Sequence, residues 1–406
     1  MHMRGFLFFL LTIVSGQLFA QNITLSGKVR DLATKEALQF ASISISGKPI
    51  GTISNLQGEF DFHFSNEYRN EILVVSMLGY KNYEAPVWSF ENTSALIIEL
   101  ERSSTYLKEL VVRDSLSGGD ILRIALSRID ENLPQQPFIL DGFYRDIKRV
   151  GGTYISLLES AVQIYDEDSR EPRNKHRLKE RVKLVELRQS LGYESKFTTY
   201  FDQDNLLEDL LLNNNIRYRQ IDARDELFAV MKREEDSYYN GHEIFVVGYE
   251  GEYSLRLFID KQDYSIVRFE FKKMNAANDI VGRKKGLEGR FIGTDKVVEF
   301  RRYENKMYLS FMRMTSQINW YDETTQELKF ETELFQQLLI NKINPNPEDR
   351  IGTTESMKKY GLQYQNLNYN KKFWENYNVI KRTPLDSQIV ADLEKAGPLE
   401  KQFQDN

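Results

Sequence analysis

From residue 23 onward the chain alternates apolar and polar positions in short runs. Ala41, Ile43 and Ile45 point one way, while Ser42, Ser44 and Ser46 point the other. Phe60, Phe62 and Phe64 likewise oppose Glu59, Asp61 and His63. A period of two with one apolar side predicts strands half-buried in a sandwich. Leu73, Val74 and Val75 are apolar without a break, which predicts a central strand, and a last run from Ala95 to Leu100 closes the set. Turn residues recur about every ten positions, so residues 21–114 read as a β-sandwich of about seven strands. Gly51, Gly58 and Gly79 fall where the chain is expected to turn, and Ser54 and Asn55 with Gly58 read as one such turn.

The pattern then changes. Residues 115–119 read as a linker, and Asp120 is placed to cap a helix whose face is Ile121, Leu122, Ala125, Leu126 and Ile129, ended by Pro134. Strand-like segments follow at 138–149 and 153–165. Residues 204–234 predict helices, with one stripe of Leu206, Leu207, Leu210 and Leu211 and another of Leu227, Val230 and Met231. Seven further strand-like segments run at 243–249, 253–260, 264–272, 296–303, 307–314, 317–322 and 327–335. Asp260 to Asp263 joins two of them as a hairpin. The fold class is therefore mainly β with some α: a sandwich, then a larger α+β domain over 115–344 built on a curved antiparallel sheet. Residues 345–406, broken by Pro345 and Pro347, read as an irregular tail. Its cluster of Phe373, Trp374 and Tyr377 and a helix at 385–393 are expected to pack back on the sheet.

The leader sets the expected address. Arg4, an apolar run from Gly5 to Gly16 and Ala20 before Gln21 read as a signal peptide over residues 1–20. The run is shorter than the about 20 residues a spanning helix needs. The expected location is the periplasm, or association with the outer membrane. The 406 residues include no cysteine, so there is no lipobox, disulfide or thiolate metal site. The 22 Tyr and 25 Phe suit pleated surfaces and agree with the β reading. A net charge of −6 disfavours nucleic acid, whose phosphates are bound by clustered Lys and Arg.

Candidate chemistry is sparse. The four histidines are His2, His63, His176 and His242, and none stands in the i, i+4 arrangement of a zinc protease. No nucleophile elbow, phosphate loop or dinucleotide fingerprint occurs, and no cofactor or metal is expected. The acid groups Asp202 and Asp204, Glu208 and Asp209, and Glu234, Glu235 and Asp236 are read as exposed acids, with acid/base chemistry as the alternative. Arg170, Arg173, Lys175, Arg177, Lys179 and Arg181 form a basic run. It reads as a solvated loop, with an anionic surface site for lipid headgroups as the functional alternative.

Gly27, Val29, Leu38, Ala41, Gly51, Thr52, Ser54, Asn55, Gly58, Phe60, Val75, Ser76, Gly79 and Tyr80 together resemble the carboxypeptidase-like regulatory domain, a transthyretin-like sandwich common in envelope proteins of Bacteroidetes-type bacteria. The segment Leu107 to Val112 is similar to the one that often ends this module in outer-membrane receptors. The resemblance implies that the motif residues are structural and carries over no catalytic role. Phe143 to Arg145, Phe258 to Asp260 and Phe373 to Asn378 look like segments of two-domain envelope proteins of the same bacteria. The large sheet is similar in outline to periplasmic lipoprotein-carrier half-barrels. The expectation is an exported, non-enzymatic envelope protein acting as a binding or assembly module. Its expected partners are envelope proteins or an apolar, lipid-like ligand, with peripheral membrane association. The alternative is a periplasmic carrier or sensor that takes such a ligand in a curved sheet, and a third reading is a hydrolase with an unrecognised carboxylate site.

Overall fold

The computed structural model describes residues 22–405 apart from 91–92, 94–95, 104–115, 192–195, 202–204, 275–278, 358–360 and 382–383. The leader at 1–20, the segment 107–112 and the pair Asp202 and Asp204 lie outside the described residues.

Seven strands build the N-terminal module: β1 (Asn22–Asp31), β2 (Ser42–Ile45), β3 (Gly51–Ile53), β4 (Glu59–Ser65), β5 (Ile72–Ser76), β6 (Tyr83–Pro86) and β7 (Leu96–Leu100). They form two sheets, β4-β1-β7 and β3-β2-β5-β6, so the sandwich is as the alternation predicts. Val29, Ala41, Ile43, Ile45, Phe60, Phe62, Leu73 and Val75 are buried in its core. Each of the larger side chains contributes roughly 1.5–3 kcal/mol on leaving water.

Motif residues tie the loops to this core. Ser54 Oγ accepts from Ala41 N (2.9 Å) and donates to Leu38 O (2.7 Å). Asn55 Oδ1 accepts from Gln57 N and Glu59 N, which closes the β3–β4 turn. Gly58 completes that turn at φ +76°, where side chains are strained. Tyr80 OH donates to Asp31 (2.9 Å), which Arg102 also holds (2.7 Å). Gly51 departs from expectation. It sits in extended β3, not in a turn, and a Cβ there would collide with Arg301 Nη1. Close approach, by Arg301 of the second region and by Ile43 O of the neighbouring strand (3.0 Å from such a Cβ), crowds this position.

Helices α1 (Gly118–Ser127) and α2 (Ile129–Asn132) precede β8 (Phe138–Val150), β9 (Thr153–Asp166) and β10 (Arg181–Gln189). Next come α3 (Leu206–Leu212) and α4 (Asp225–Val230), then β11 (Lys232–Arg233), β12 (Ser237–Tyr239), β13 (His242–Glu250), β14 (Ser254–Asp260), β15 (Ile266–Met274), β16 (Ile280–Lys284), β17 (Leu287–Tyr303), β18 (Lys306–Asp322) and β19 (Leu328–Pro345). The tail carries α5 (Lys371–Trp374), α6 (Pro384–Leu393) and α7 (Leu399–Asp405).

The strands form one curved, open, twelve-stranded antiparallel sheet in the order β10-β9-β8-β19-β18-β17-β15-β14-β13-β11, with β12 on β13 and β16 on β17. Register shifts in β17, as between Phe291 and Gly293, mark the bulges that bend long strands. One face is closed by the helices: Ile121, Leu122, Ala125, Leu207, Leu210 and Phe228 share a core with Tyr144, Leu158, Val298 and Leu338. The other face is covered by the sandwich and the tail.

Several local expectations are corrected. Ser117, not Asp120, caps α1, and the Asp120 carboxylate answers from the third position as a capping box. Gly118 and Gly119 are no linker; they are helical and lie against backbone of residues 228–233, where a Cβ would clash. The stripe Leu227, Val230, Met231 is not a buried helix face, since Val230 is exposed and Phe228 is the buried residue of α4. The segments at 307–314 and 317–322 are one strand, and β19 continues past 335 to Pro345. Both faces of these strands are partly covered, which blurs the period of two.

Candidate ligand-binding site

The sandwich docks on the sheet through its own motif strands. Ile343 N donates to Pro49 O (2.8 Å) and Ile50 forms a bridge with Lys342. The Phe40 ring stacks on Phe311 with centroids 5.3 Å apart. The tail completes the cover. Trp374 and Ile380 join Ile53, Phe143, Phe311 and Leu339 in one buried cluster. Ile389, Leu393, Leu399 and Phe403 pack on Ile147, Tyr154 and Leu157. Asn378 exchanges hydrogen bonds with the His63 backbone in β4 (2.7 and 2.9 Å). Tail residues thus lie against the β8, β9, β18 and β19 strands.

These three parts leave a cleft between them. Its volume is about 230 Å³, or about 870 Å³ with the space out to its open mouth. The floor is set by strand register. Arg145 of β8 stands opposite Gln337 of β19, which stands opposite Arg313 of β18. Directly paired residues share a face, so these three form a polar row across the sheet. The next row on that face is Ile147, Phe335 and Thr315. Phe40 and Leu56 of the sandwich, Tyr154, Ile380 and Ile389 complete a largely apolar wall, and Lys381 stands at the side.

Each cation has a carboxylate nearby. Arg145 is buried; its Nε donates to Glu159 Oε1 (2.7 Å) and its Nη2 to Ile380 O (2.8 Å). Glu159, fully buried, also receives Arg188 (2.6 Å). The Arg188 guanidinium lies 4.3 Å from the Trp374 ring centroid, so this triad ties the tail to the sheet. Arg313 stands 3.0 Å from Asp295, and Lys381 2.9 Å from Asp61.

The residues singled out by sequence fall elsewhere. Gly27, Gly58, Phe60 and Tyr80 serve the sandwich, and Gly79 N donates to Tyr238 O of β12 (2.7 Å); Gly51, Thr52, Ser54 and Asn55 lie on its docking side, where Asn55 Nδ2 donates to Lys381 O (3.2 Å). The basic run is largely neutralised within the chain. Arg170 and Lys179 both hold Asp168 (2.7 and 2.6 Å), keeping its carboxyl well below the usual range, Arg170 foremost. Lys175 pairs with Glu171 and Arg181 with Glu167, while Arg173 and Arg177 are exposed. Beneath the run sits a cluster that no local pattern marks: Arg217 Nε donates to Asp166 (2.8 Å), and Tyr218 OH donates to Glu180. Burial, then the charge of Glu180, pushes Asp166 up to about 6. The void beside it is about 30 Å³, room for water and not for a substrate.

The acid groups do not assemble a site. Glu208 and Asp209 lie in the first turn of α3, complementing its N-terminus. Glu234 pairs with Arg256 (3.1 Å) and Asp236 with Lys261 (2.6 Å). His63 meets Thr24, His242 meets Asp260 (2.5 Å), and His176 is exposed. Among the described residues, no three His, Asp or Glu side chains gather as a metal site would require. No helix among them is long and apolar enough to cross a membrane. Arg145, Gln337 and Arg313 were not legible as a set, because their adjacency comes from pairing β8 with β19, which lie far apart in the chain. One signal was available: Glu159 interrupts an apolar run that starts at Leu157, which marks a buried charge that needs a partner.

Comparison with known proteins agrees with the first module. Residues 25–112 match the family model described as CarboxypepD_reg-like domain, and the module is a carboxypeptidase-like regulatory domain. No curated protein matches. Among solved structures, lipovitellin, described for its lipid–protein interactions, aligns at 11% identity over 65% of this chain with a TM-score of 0.26, and the alignment spans only 31% of lipovitellin. A protein of unknown function from Bacteroides fragilis, described as membrane-associated, aligns at 10% identity over 80% of this chain and 98% of its own, TM-score 0.16. MucB of Pseudomonas aeruginosa, in complex with MucA, aligns at 9% identity over 57% of this chain and 99% of its own, TM-score 0.19.

Proposed function

We propose that this chain is an exported, non-enzymatic envelope protein that binds an apolar, lipid-like ligand in the cleft between sandwich, sheet and tail. The observation that carries this reading is the cleft itself: an apolar wall of Phe40, Ile147, Tyr154, Phe335, Ile380 and Ile389 around open space, with a wet mouth. The motif strand of the sandwich faces its own chain there, which favours a ligand site over an assembly surface at that edge. The carboxylates near the cleft, Glu159, Asp295 and Asp61, each face a cation, an arrangement suited to holding charge and not to proton transfer.

The test is titration of the purified chain with N-phenyl-1-naphthylamine, a neutral apolar probe that fluoresces when buried. Saturable binding is expected, together with its loss in the cleft-filling variant Thr315→Trp. Equal binding by the two proteins, both folded by circular dichroism, refutes the assignment. Export is tested by sequencing the N-terminus of the protein recovered from the envelope fraction, expected at Gln21.

A further inference from the structure

We infer that the ligand of this cleft is an amphiphile with an anionic head, its carboxylate or phosphate seated on the Arg145–Gln337–Arg313 row and its chain on Ile147, Phe335 and Ile389. The inference rests on the apolar-ligand reading above and adds the charge and the orientation. The row lies across the cleft floor by register, and the apolar row is one step along the same three strands. A ligand lying along the strands therefore meets cationic groups at one end and hydrocarbon at the other.

Arg313 is the critical group. Its side chain is about one-third exposed (33%), and its nearest acid, Asp295, is 3.0 Å away. That contact is an ion pair without hydrogen-bond alignment: Asp295 Oδ1 is buried and accepts no hydrogen bond. Among the described residues Arg313 donates no side-chain hydrogen bond, and its guanidinium carbon lies 5.9 Å from the Phe40 centroid. Solvent at the cleft mouth hydrates its exposed side. A ligand that fills the cleft displaces that water, and a neutral or cationic head would leave the guanidinium poorly partnered, which is costly. An anionic head replaces the lost hydration with a charge-assisted bond, and a planar fork suits both carboxylate and phosphate.

The local charge agrees. The charged side chains that line the cleft, Arg145, Arg313 and Lys381, are all cationic, and their acid partners Glu159, Asp295 and Asp61 are not among its lining residues. The chain as a whole carries −6. The Gln337 amide sits between the two arginines and supplies a neutral donor.

The experiment is calorimetric titration of the full chain with dodecanoate, dodecyl phosphate and dodecyltrimethylammonium, each below its micelle concentration, and with dodecanol below its solubility limit. At least about tenfold tighter binding is expected for an anionic probe than for dodecanol, with charge-assisted contacts supplying the difference. Whichever of dodecanoate and dodecyl phosphate binds more tightly identifies the head. Arg313→Gln should bring the anion-to-alcohol ratio close to one while dodecanol binding is kept; Arg313→Lys should retain the preference. Asp295→Asn, which removes a competing acid, should tighten the anion further. Dodecanol binding as tightly as the anions, or a ratio unchanged in Arg313→Gln, overturns the anionic head and leaves the apolar cleft standing. Failure of all four probes overturns both.

Discussion

Glu159→Gln tests how the tail is held. Glu159 is fully buried and bridges two guanidinium groups, Arg145 at 5% and Arg188 at 12% side-chain exposure. The substitution keeps the volume and removes the one negative charge of the triad. Breaking a buried ion pair from one side costs about 3–5 kcal/mol, because the remaining charge is left uncompensated. Here two cations are left, so the upper part of that range is expected. The effect should spread to the tail, since Arg145 donates to Ile380 O and Arg188 stacks on Trp374 and Phe403. Urea denaturation reads the stability loss, and limited proteolysis reads release of residues 371–405. A companion variant, Arg145→Met with Glu159→Leu and Arg188→Met, replaces the triad by apolar groups of similar size. It should fall within about 1–2 kcal/mol of wild type, because apolar replacement of a buried ionic cluster is often neutral or stabilising. A Glu159→Gln loss below about 1 kcal/mol, or a triple variant worse than the single one, would refute uncompensated charge as the cause.

Three further outcomes follow from named contacts. Trp374→Ala should cost about 3–5 kcal/mol, since Trp374 is buried against Phe143, Tyr377 and Arg188; urea titration checks it, and a loss too small to measure would mean the tail does not need this anchor. Gly51→Ala should lower the melting temperature, because its Cβ would meet Arg301 Nη1; adding Arg301→Ala should restore most of the loss, and no restoration would assign the glycine to another cause. Asp31 is held well below the usual carboxylate range, chiefly by the Thr34 amide and then by Arg102. A carboxyl with a lowered folded pKa stabilises fully above its unfolded value of about 3.9 and loses that contribution as pH falls through the folded value. Melting of wild type and Asp31→Asn should therefore differ near pH 6 and converge progressively as pH falls below about 4; a gap that stays constant down to about pH 2 would contradict the assignment.

The sandwich was the most legible part. Its strands are short, one-sided and separated by turn residues, so local alternation at Ala41 to Ile45 and at Phe60 to Phe64 carried the answer. The long strands were legible only in part, because β18 and β19 are half-covered on both faces and show no clean alternation. Thr315 and Gln337 fell outside the strand-like segments, and Arg313 lay inside one with nothing to mark it, yet all three line the floor of a cleft.

Periodicity within a few residues was enough to establish the sandwich and the antiparallel character of the larger region. What the tail and sandwich cover, and which charges meet, came from the folded chain alone. Arg145 reaches Gln337 through strand pairing, Glu159 reaches Arg188 across the β9–β10 pair, and Gly51 meets Arg301 where the sandwich docks. The cleft exists because the two covering parts come from opposite ends of the chain and do not quite close over one face of the sheet. Contacts between such distant segments leave no local period, so no pattern along the chain could have shown them.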